Sequence, residues 1–217
     1  MWDFEKSAEQ AFEHIFDKFN LGERGVPSGK AYHEAYTIHN NILWEKYRKA
    51  EITKEVLRGL RFNLTNNDFG IVDNGLGDKI GDEYIRISPL IVNLFPYSIE
   101  ILKYLAPNYK LHIITNGFEE VQTVKLRESR MRNYFTQIIT SEEAGVKKPN
   151  PAIFKFAFHK SGAKAEESIM IGDDYEVDIL GAKDVGMKQI FFDPFNLQPD
   201  AECSYRINNL KEIEEIL

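Results

Sequence analysis

Cysteine is nearly absent: Cys203 is the only one in 217 residues. No disulfide can therefore close within the sequence, which suits a reducing, cytoplasmic setting. No apolar run is long enough to span a bilayer, and Met1-Trp2-Asp3-Phe4-Glu5-Lys6 lacks signal-peptide character. No positive excess exists either. Lys and Arg total 27 against 34 Asp and Glu, a formal net charge of −7, so a nucleic-acid polymer is not the expected partner. One local group of donors is still enough for a small phosphorylated ligand. Low-complexity tracts and internal repeats are missing too, and nothing fixes an oligomeric state. What is present is ordinary globular composition, 43% hydrophobic.

The first third reads as helix and loop. Phe4, Ala8, Ala11, Phe12, Ile15, Phe16 and Phe19 fall at helical spacing, and Ser7 and Gln10 have the spacing of a capping box. A second helix is expected over 31–49, with Tyr36, His39, Leu43 and Tyr47 on one stripe, and a third over 53–62 from a Thr53 cap. Asn66 to Asp68 could cap a further segment, while glycines at 70, 75, 77 and 81 break the stretch from 70 to 81.

The pattern changes near Pro89. Apolar strands are expected at 110–115, 137–140, 168–171, 189–192 and 205–207. Helices are expected between and after them at 98–105, 118–131, 151–160, 178–185 and 210–217. Strands alternating with helices imply a parallel α/β sheet. Such a sheet gathers its strands' carboxyl ends on one edge, where ligands bind.

Three of those ends carry polar chemistry. Thr115-Asn116-Gly117 offers a hydroxyl, an amide and backbone N–H groups, an anion cradle; the same residues also suit a plain helix cap. Lys148, held between Gly145 and Pro149, can neutralise a phosphoryl group as a point charge, or be half of a solvated basic pair with Lys147. Asp173, Asp174, Glu176 and Asp178 crowd one strand end. Like charges so close resist ionisation, and a hard cation such as Mg²⁺ relieves them; a solvated helix N-terminus is the bland alternative. The histidines show no paired metal spacing. Trp44, off the apolar stripe of its helix, is a candidate for stacking on a nucleobase, whereas Tyr47 is assigned to packing.

These residues resemble the haloacid dehalogenase superfamily of phosphohydrolases. Its second motif matches Leu111-His112-Ile113-Ile114-Thr115, its third Lys148, and its fourth, Gly-Asp-x-x-x-x-Asp, matches Gly172-Asp173 through Asp178. Residues 114–118 and 141–146 look closest to the pyrimidine and noncanonical nucleoside 5′-monophosphate phosphatases. The resemblance implies a Rossmannoid parallel core over 89–217. It also implies an inserted helical cap over 1–88, with a remnant of the first-motif loop at 1–6. It implies Mg²⁺ held by Asp173 and Asp178, and phosphoryl oxygens bound by Thr115, Asn116 and Gly117. Lys148 would offset charge on nucleophile and phosphoryl group, and a phosphoaspartyl intermediate would form. Thr115 and Lys148 are thus the catalytic candidates, Asp174 being less certain.

One motif is not found. The family's nucleophile lies in Asp-x-Asp-x-Thr at the end of its first, central strand, and no Asp-x-Asp occurs near Met1. Met1-Trp2-Asp3-Phe4 fits the continuation of that motif, so the expectation is a reading that begins upstream, with this chain inactive as it stands. A sugar-phosphate mutase or a non-catalytic phosphate- and metal-binding relative stays open as an alternative. A dehalogenase needs no metal, and the acidic fourth motif counts against it.

Overall fold

The structure, a computed structural model, describes residues 1–73 and 75–217. Backbone contacts divide them into two units, Asp3–Asn93 and Met1–Trp2 with Leu94–Leu217. Among the described residues no helix is long and apolar enough to cross a membrane.

The first unit is helical: α1 Phe4–Lys18, α2 Gly29–Arg48, α3 Lys54–Asp68 and α4 Leu76–Ile87. The cap of α1 is Asp3, which accepts from Lys6 N at 3.0 Å. Ser7 is buried inside the helix and makes no capping box; an aspartate one turn earlier caps as well and lengthens the helix. Thr53 caps α3 as expected. That helix runs on to Asp68, because Asn66 is a buried partner rather than a cap and accepts from Tyr32 Oη at 2.6 Å. Gly70 follows α3 and Gly75 caps α4, both at positive φ, whereas Gly77 and Gly81 lie inside α4 and do not break it. A Cβ on Gly81 would lie 2.8 Å from the Arg58 carbonyl, so Gly81 lets α4 approach the backbone of α3. The core between these helices is aromatic: Tyr36 lies 4.6 Å from Phe12 and 4.8 Å from Phe62, ring to ring.

The second unit is α/β and every strand pairing is parallel. Strand β1 (Leu111–Thr115) pairs with β2 (Phe135–Thr140), in register at Thr115 and Thr140. Strand β3 (Ile169–Gly172) pairs with β4 (Lys188–Phe192), which pairs with β5 (Tyr205–Ile207). These make two sheets, β1-β2 and β3-β4-β5. Helix α5 (Ser98–Leu105) precedes β1, α6 (Glu119–Glu128) lies between β1 and β2, and α7 (Ser141–Ala144) and α8 (Pro151–Ser161) lie between β2 and β3 in sequence. The helix expected over 178–185 starts sooner and differently. Asp174 caps it, and its carbonyl accepts from both Asp178 N and Ile179 N, at 2.8 and 3.4 Å. The shared acceptor widens the turn into π-helix over Tyr175–Leu180, followed by a short α9, Gly181–Lys183. Such bulges favour functional sites. At the end of the chain Leu210–Glu215 forms 3₁₀-helix behind an Asn209/Glu212 capping box.

Candidate active site

The site lies within the α/β unit, where β1 and β3 end. Thr115 closes β1, and its Oγ1 accepts from Gly117 N at 3.0 Å. Asn116 spends both ends of its amide on Lys148: Nδ2 donates to the lysine carbonyl at 2.9 Å, and Oδ1 accepts from the lysine N–H at 2.8 Å. This two-point clamp fixes the loop after α7 against the end of β1. The Asn116 side chain thus holds the lysine loop, and the Gly117 N–H turns to the threonine hydroxyl.

Lys148 points into the protein and donates from Nζ to Asp178 Oδ1 at 2.5 Å, with both side chains only 8% exposed. Asp178 comes from the π-turn and lies over Gly172, the last residue of β3. A Cβ on Gly172 would meet the Asp178 Cβ directly and its Cγ at 2.6 Å, so this position admits only glycine without a shift. Asn116, Lys148, Asp178 and Gly172 therefore connect the end of β1 to the end of β3.

Asp173 follows Gly172. It is open to solvent on one side yet ringed by protein on the others. Loss of water raises its carboxyl pKa, the charge of Asp178 adds to the rise, and the α-amino group of Met1 and Lys148 act against it. Asp174 is turned away to its capping bond, Oδ1 accepting from Val177 N at 3.0 Å.

Two carboxylates of which one resists ionisation suit a hard divalent cation. Mg²⁺ is bound through one or two carboxylates with waters and substrate phosphate rather than by an all-protein cage. Among the described residues no cluster of three or more His, Cys, Asp or Glu could hold a metal by itself.

Sequence reasoning missed Lys125. It is 5% exposed, and its Nζ lies 5.3 Å from the Trp2 ring centroid. Burial pushes its pKa down to about 7, with Asp173 pulling the other way. The clue was position: Phe118, Val121 and Lys125 share one helical stripe, so the lysine occupies an apolar face. Trp44 stands in the helical unit, half-buried, edge-on to Tyr47 at 5.6 Å and 79°.

Comparison with known proteins identifies the family. Residues 3–192 match the model of haloacid dehalogenase-like hydrolases. The pyrimidine 5′-nucleotidase YjjG of Escherichia coli is 30% identical over 185 residues, 84% of this chain and 80% of that protein. A glyceraldehyde 3-phosphate phosphatase of Methanocaldococcus jannaschii is 35% identical over 138 residues, 62% of this chain and 60% of that protein. Among solved structures, the HAD-hydrolase YfnB of Bacillus subtilis, bound to magnesium, superposes with a TM-score of 0.88 at 24% identity, covering 100% of this chain and 93% of that one. With the Gly172–Asp178 turn and the Lys148 loop joined at the sheet edge, and with the family model spanning most of the sequence, the chain belongs to the haloacid dehalogenase-like hydrolases.

Proposed function

We propose that the family chemistry this chain is built for is Mg²⁺-dependent hydrolysis of a small phosphorylated metabolite, a nucleoside 5′-monophosphate first, through a phosphoaspartyl intermediate, in the cytoplasm, and that this chain keeps the binding part of that site. The observation that carries the reading is the Lys148–Asp178 pair, clamped by Asn116 and set beside Asp173. Thr115 and the backbone of residues 116–117 would bind phosphoryl oxygens, the Gly117 N–H by exchanging its bond to Thr115 Oγ1 for one to the phosphoryl group, and Lys148 would balance their charge. Asp173 would hold the metal directly, with Asp178 supporting from behind. Bound there, Mg²⁺ would neutralise charge on the phosphoryl group as a Lewis acid.

Among the described residues, none at this site is assigned as the attacking carboxylate. Uncatalysed phosphate-monoester hydrolysis is slow enough to need enhancements up to about 10²¹-fold. These 217 residues are therefore expected to bind substrate without turning it over. Trp44 is the proposed base-stacking residue.

Nucleotide is favoured by YjjG, a pyrimidine 5′-nucleotidase matched over 84% of the chain. A triose phosphate is the second reading, on the strength of the glyceraldehyde 3-phosphate phosphatase. The test is a panel of nucleoside 5′-monophosphates, glyceraldehyde 3-phosphate and hexose phosphates, scored for Mg²⁺-dependent binding, phosphate release and isomer formation. Binding of a nucleotide without release is expected. Rapid release by the purified chain would refute the missing-nucleophile account, and interconversion of hexose phosphates would favour a mutase.

A further inference from the structure

The helical unit has a polar cavity of its own, where α3 ends and α4 begins. Asn63, Asn66 and Asn67 lie three and four residues apart on α3, so their amides share one face. That face, the loop through Ile71, Val72 and Asp73, and Gly75 at the head of α4 line a cavity of about 320 Å³. Its wall is close-packed: a Cβ on Gly77 would lie 2.8 Å from Asn63 N, so α4 starts against the backbone of α3. Arg24 ties the loop to the end of α1, through Asp73 Oδ2 at 3.0 Å and the Phe19 carbonyl at 3.3 Å. The chain enters and leaves the unit together, Asp3 N donating to Asn93 O at 2.9 Å. That junction is at the start of the 15-residue α1, about 20 Å along the helix from the cavity end.

Asn66 is the fixed element of this cavity and is 3% exposed. Its Oδ1 accepts from Tyr32 Oη at 2.6 Å, and its carbonyl accepts from Ile71 N at 2.9 Å. The amide is thereby oriented, and among the described residues no acceptor meets its Nδ2. A donor so deeply buried and held at a cavity calls for an acceptor inside it. The cap position of α4 is Gly75, which has no side chain to bond the helix's first N–H groups, and these add further donors. Asp73 supplies the opposite function. Arg24 uses its Oδ2, and among the described residues Oδ1 has no donor.

We propose that this cavity binds a small neutral polyol through a vicinal diol, the chemistry shared by a free sugar and by the ribose of a nucleoside. A hydroxyl both donates and accepts. Adjacent hydroxyls therefore give a proton to Asp73 and a lone pair to Asn66 Nδ2, while Asn63 and Asn67 offer both functions to either. An anion only accepts and would meet the Asp73 carboxylate. A cation only donates and would face Asn66 Nδ2 and the positive end of α4. The volume is at the lower end of small-molecule sites, which suits one sugar ring or one nucleoside. Among the described residues no aromatic ring lines it, so hydroxyls rather than a base carry the recognition. The site rests on the helical unit alone and stands or falls apart from the phosphatase reading.

The test is nuclear magnetic resonance of the full chain, titrated with ribose, uridine, 2′,3′-dideoxyuridine and sulfate. The expected result is saturable shifts of the Asn63, Asn66, Asn67, Asp73 and Gly75 signals with ribose or uridine, and none with dideoxyuridine or sulfate. Shifts with ribose show that a free sugar suffices; shifts with uridine alone assign the site to nucleosides. Asn66→Asp keeps the acceptor for Tyr32 and removes the donor. Asp73→Ala removes the acceptor and loses only an exposed ion pair, so the fold survives it. Each should weaken binding about tenfold, the effect of one hydrogen bond. No shift with ribose or uridine, equal shifts with dideoxyuridine, or unchanged binding in Asp73→Ala overturns the proposal. Sulfate shifting Gly75 and Leu76 overturns it too, since the site is then a plain helix N-terminus for anions.

Discussion

Lys148 and Asp178 form a buried ion pair, Nζ to Oδ1 at 2.5 Å, between side chains that come from different loops. Neither group has enough solvent to stand alone. The lysine is also fixed from behind, through its own N–H and C=O on Asn116. The pair thus holds the lysine loop to the acidic turn as well as balancing charge.

Replacing only the lysine should therefore be costly. Lys148→Met leaves a buried carboxylate unpaired and is expected to destabilise the α/β unit by about 3–5 kcal/mol. The double variant Lys148→Met, Asp178→Leu should recover much of that, because it removes both charges. Urea denaturation of the two variants checks the ordering; equal losses would mean that the pair is not coupled.

The contact between Gly172 and Asp178 makes a steric prediction. A methyl group at 172 would overlap the aspartate's Cβ, which cannot swing away like a chain end. Gly172→Ala should cost about 1–3 kcal/mol by overpacking and weaken Mg²⁺ binding by displacing Asp178. Denaturation and a Mg²⁺ titration of the same variant separate the two effects.

Asp173 makes a pH prediction. Its folded pKa lies above the ordinary carboxylate value, through desolvation and then the charge of Asp178. The folded state therefore holds this proton more tightly than the unfolded one. Stability from this group is present at low pH and falls as pH rises from the unfolded value through the folded one. Asp173→Asn should be more stable than the parent above that window. Mg²⁺ competes with the same proton, so its stabilising effect should grow with pH across the window and vanish in Asp173→Asn. Thermal melts with and without Mg²⁺ at several pH values measure both.

The helical unit has an acid lock of opposite sign. Glu83 is buried and accepts from Arg86 at 2.7 and 2.8 Å, with Lys18 and His14 each at 2.8 Å. Arg86 foremost, then Lys18 and His14, hold its carboxyl well below the usual range despite burial. This stabilisation is present at neutral pH and lost as pH falls below the unfolded carboxylate value. Glu83→Gln should cost about 2–3 kcal/mol at pH 7 and lose that acid dependence. Denaturation at neutral and acid pH is the check.

Much of this is legible in the sequence. Alternating apolar strands and helices point to the α/β core, and the residues from Thr115 to Asp178 that converge at its edge stand out by type and spacing. What stays hidden depends on contacts between distant segments. Asn116 reads as an anion donor because an amide after a strand suits that task; that its amide is spent on the Lys148 backbone is a relation across 32 residues. The glycines of α4 read as breakers because periodicity cannot see Arg58 pressed against Gly81. Ser7 and Asp3 compete as caps, and local pattern alone does not rank them. Lys125 escapes notice because a lysine is ordinarily solvated, and its burial, with Nζ over the Trp2 ring, is a contact between distant segments.

The most direct test of the account is calorimetric titration of inorganic phosphate into the chain, with and without Mg²⁺, alongside Asp173→Asn. Saturable binding that needs the metal, and is abolished in the variant, is the expected result. Phosphate binding indifferent to both Mg²⁺ and Asp173, or no binding at all, would contradict a shared phosphate and metal site at the ends of β1 and β3.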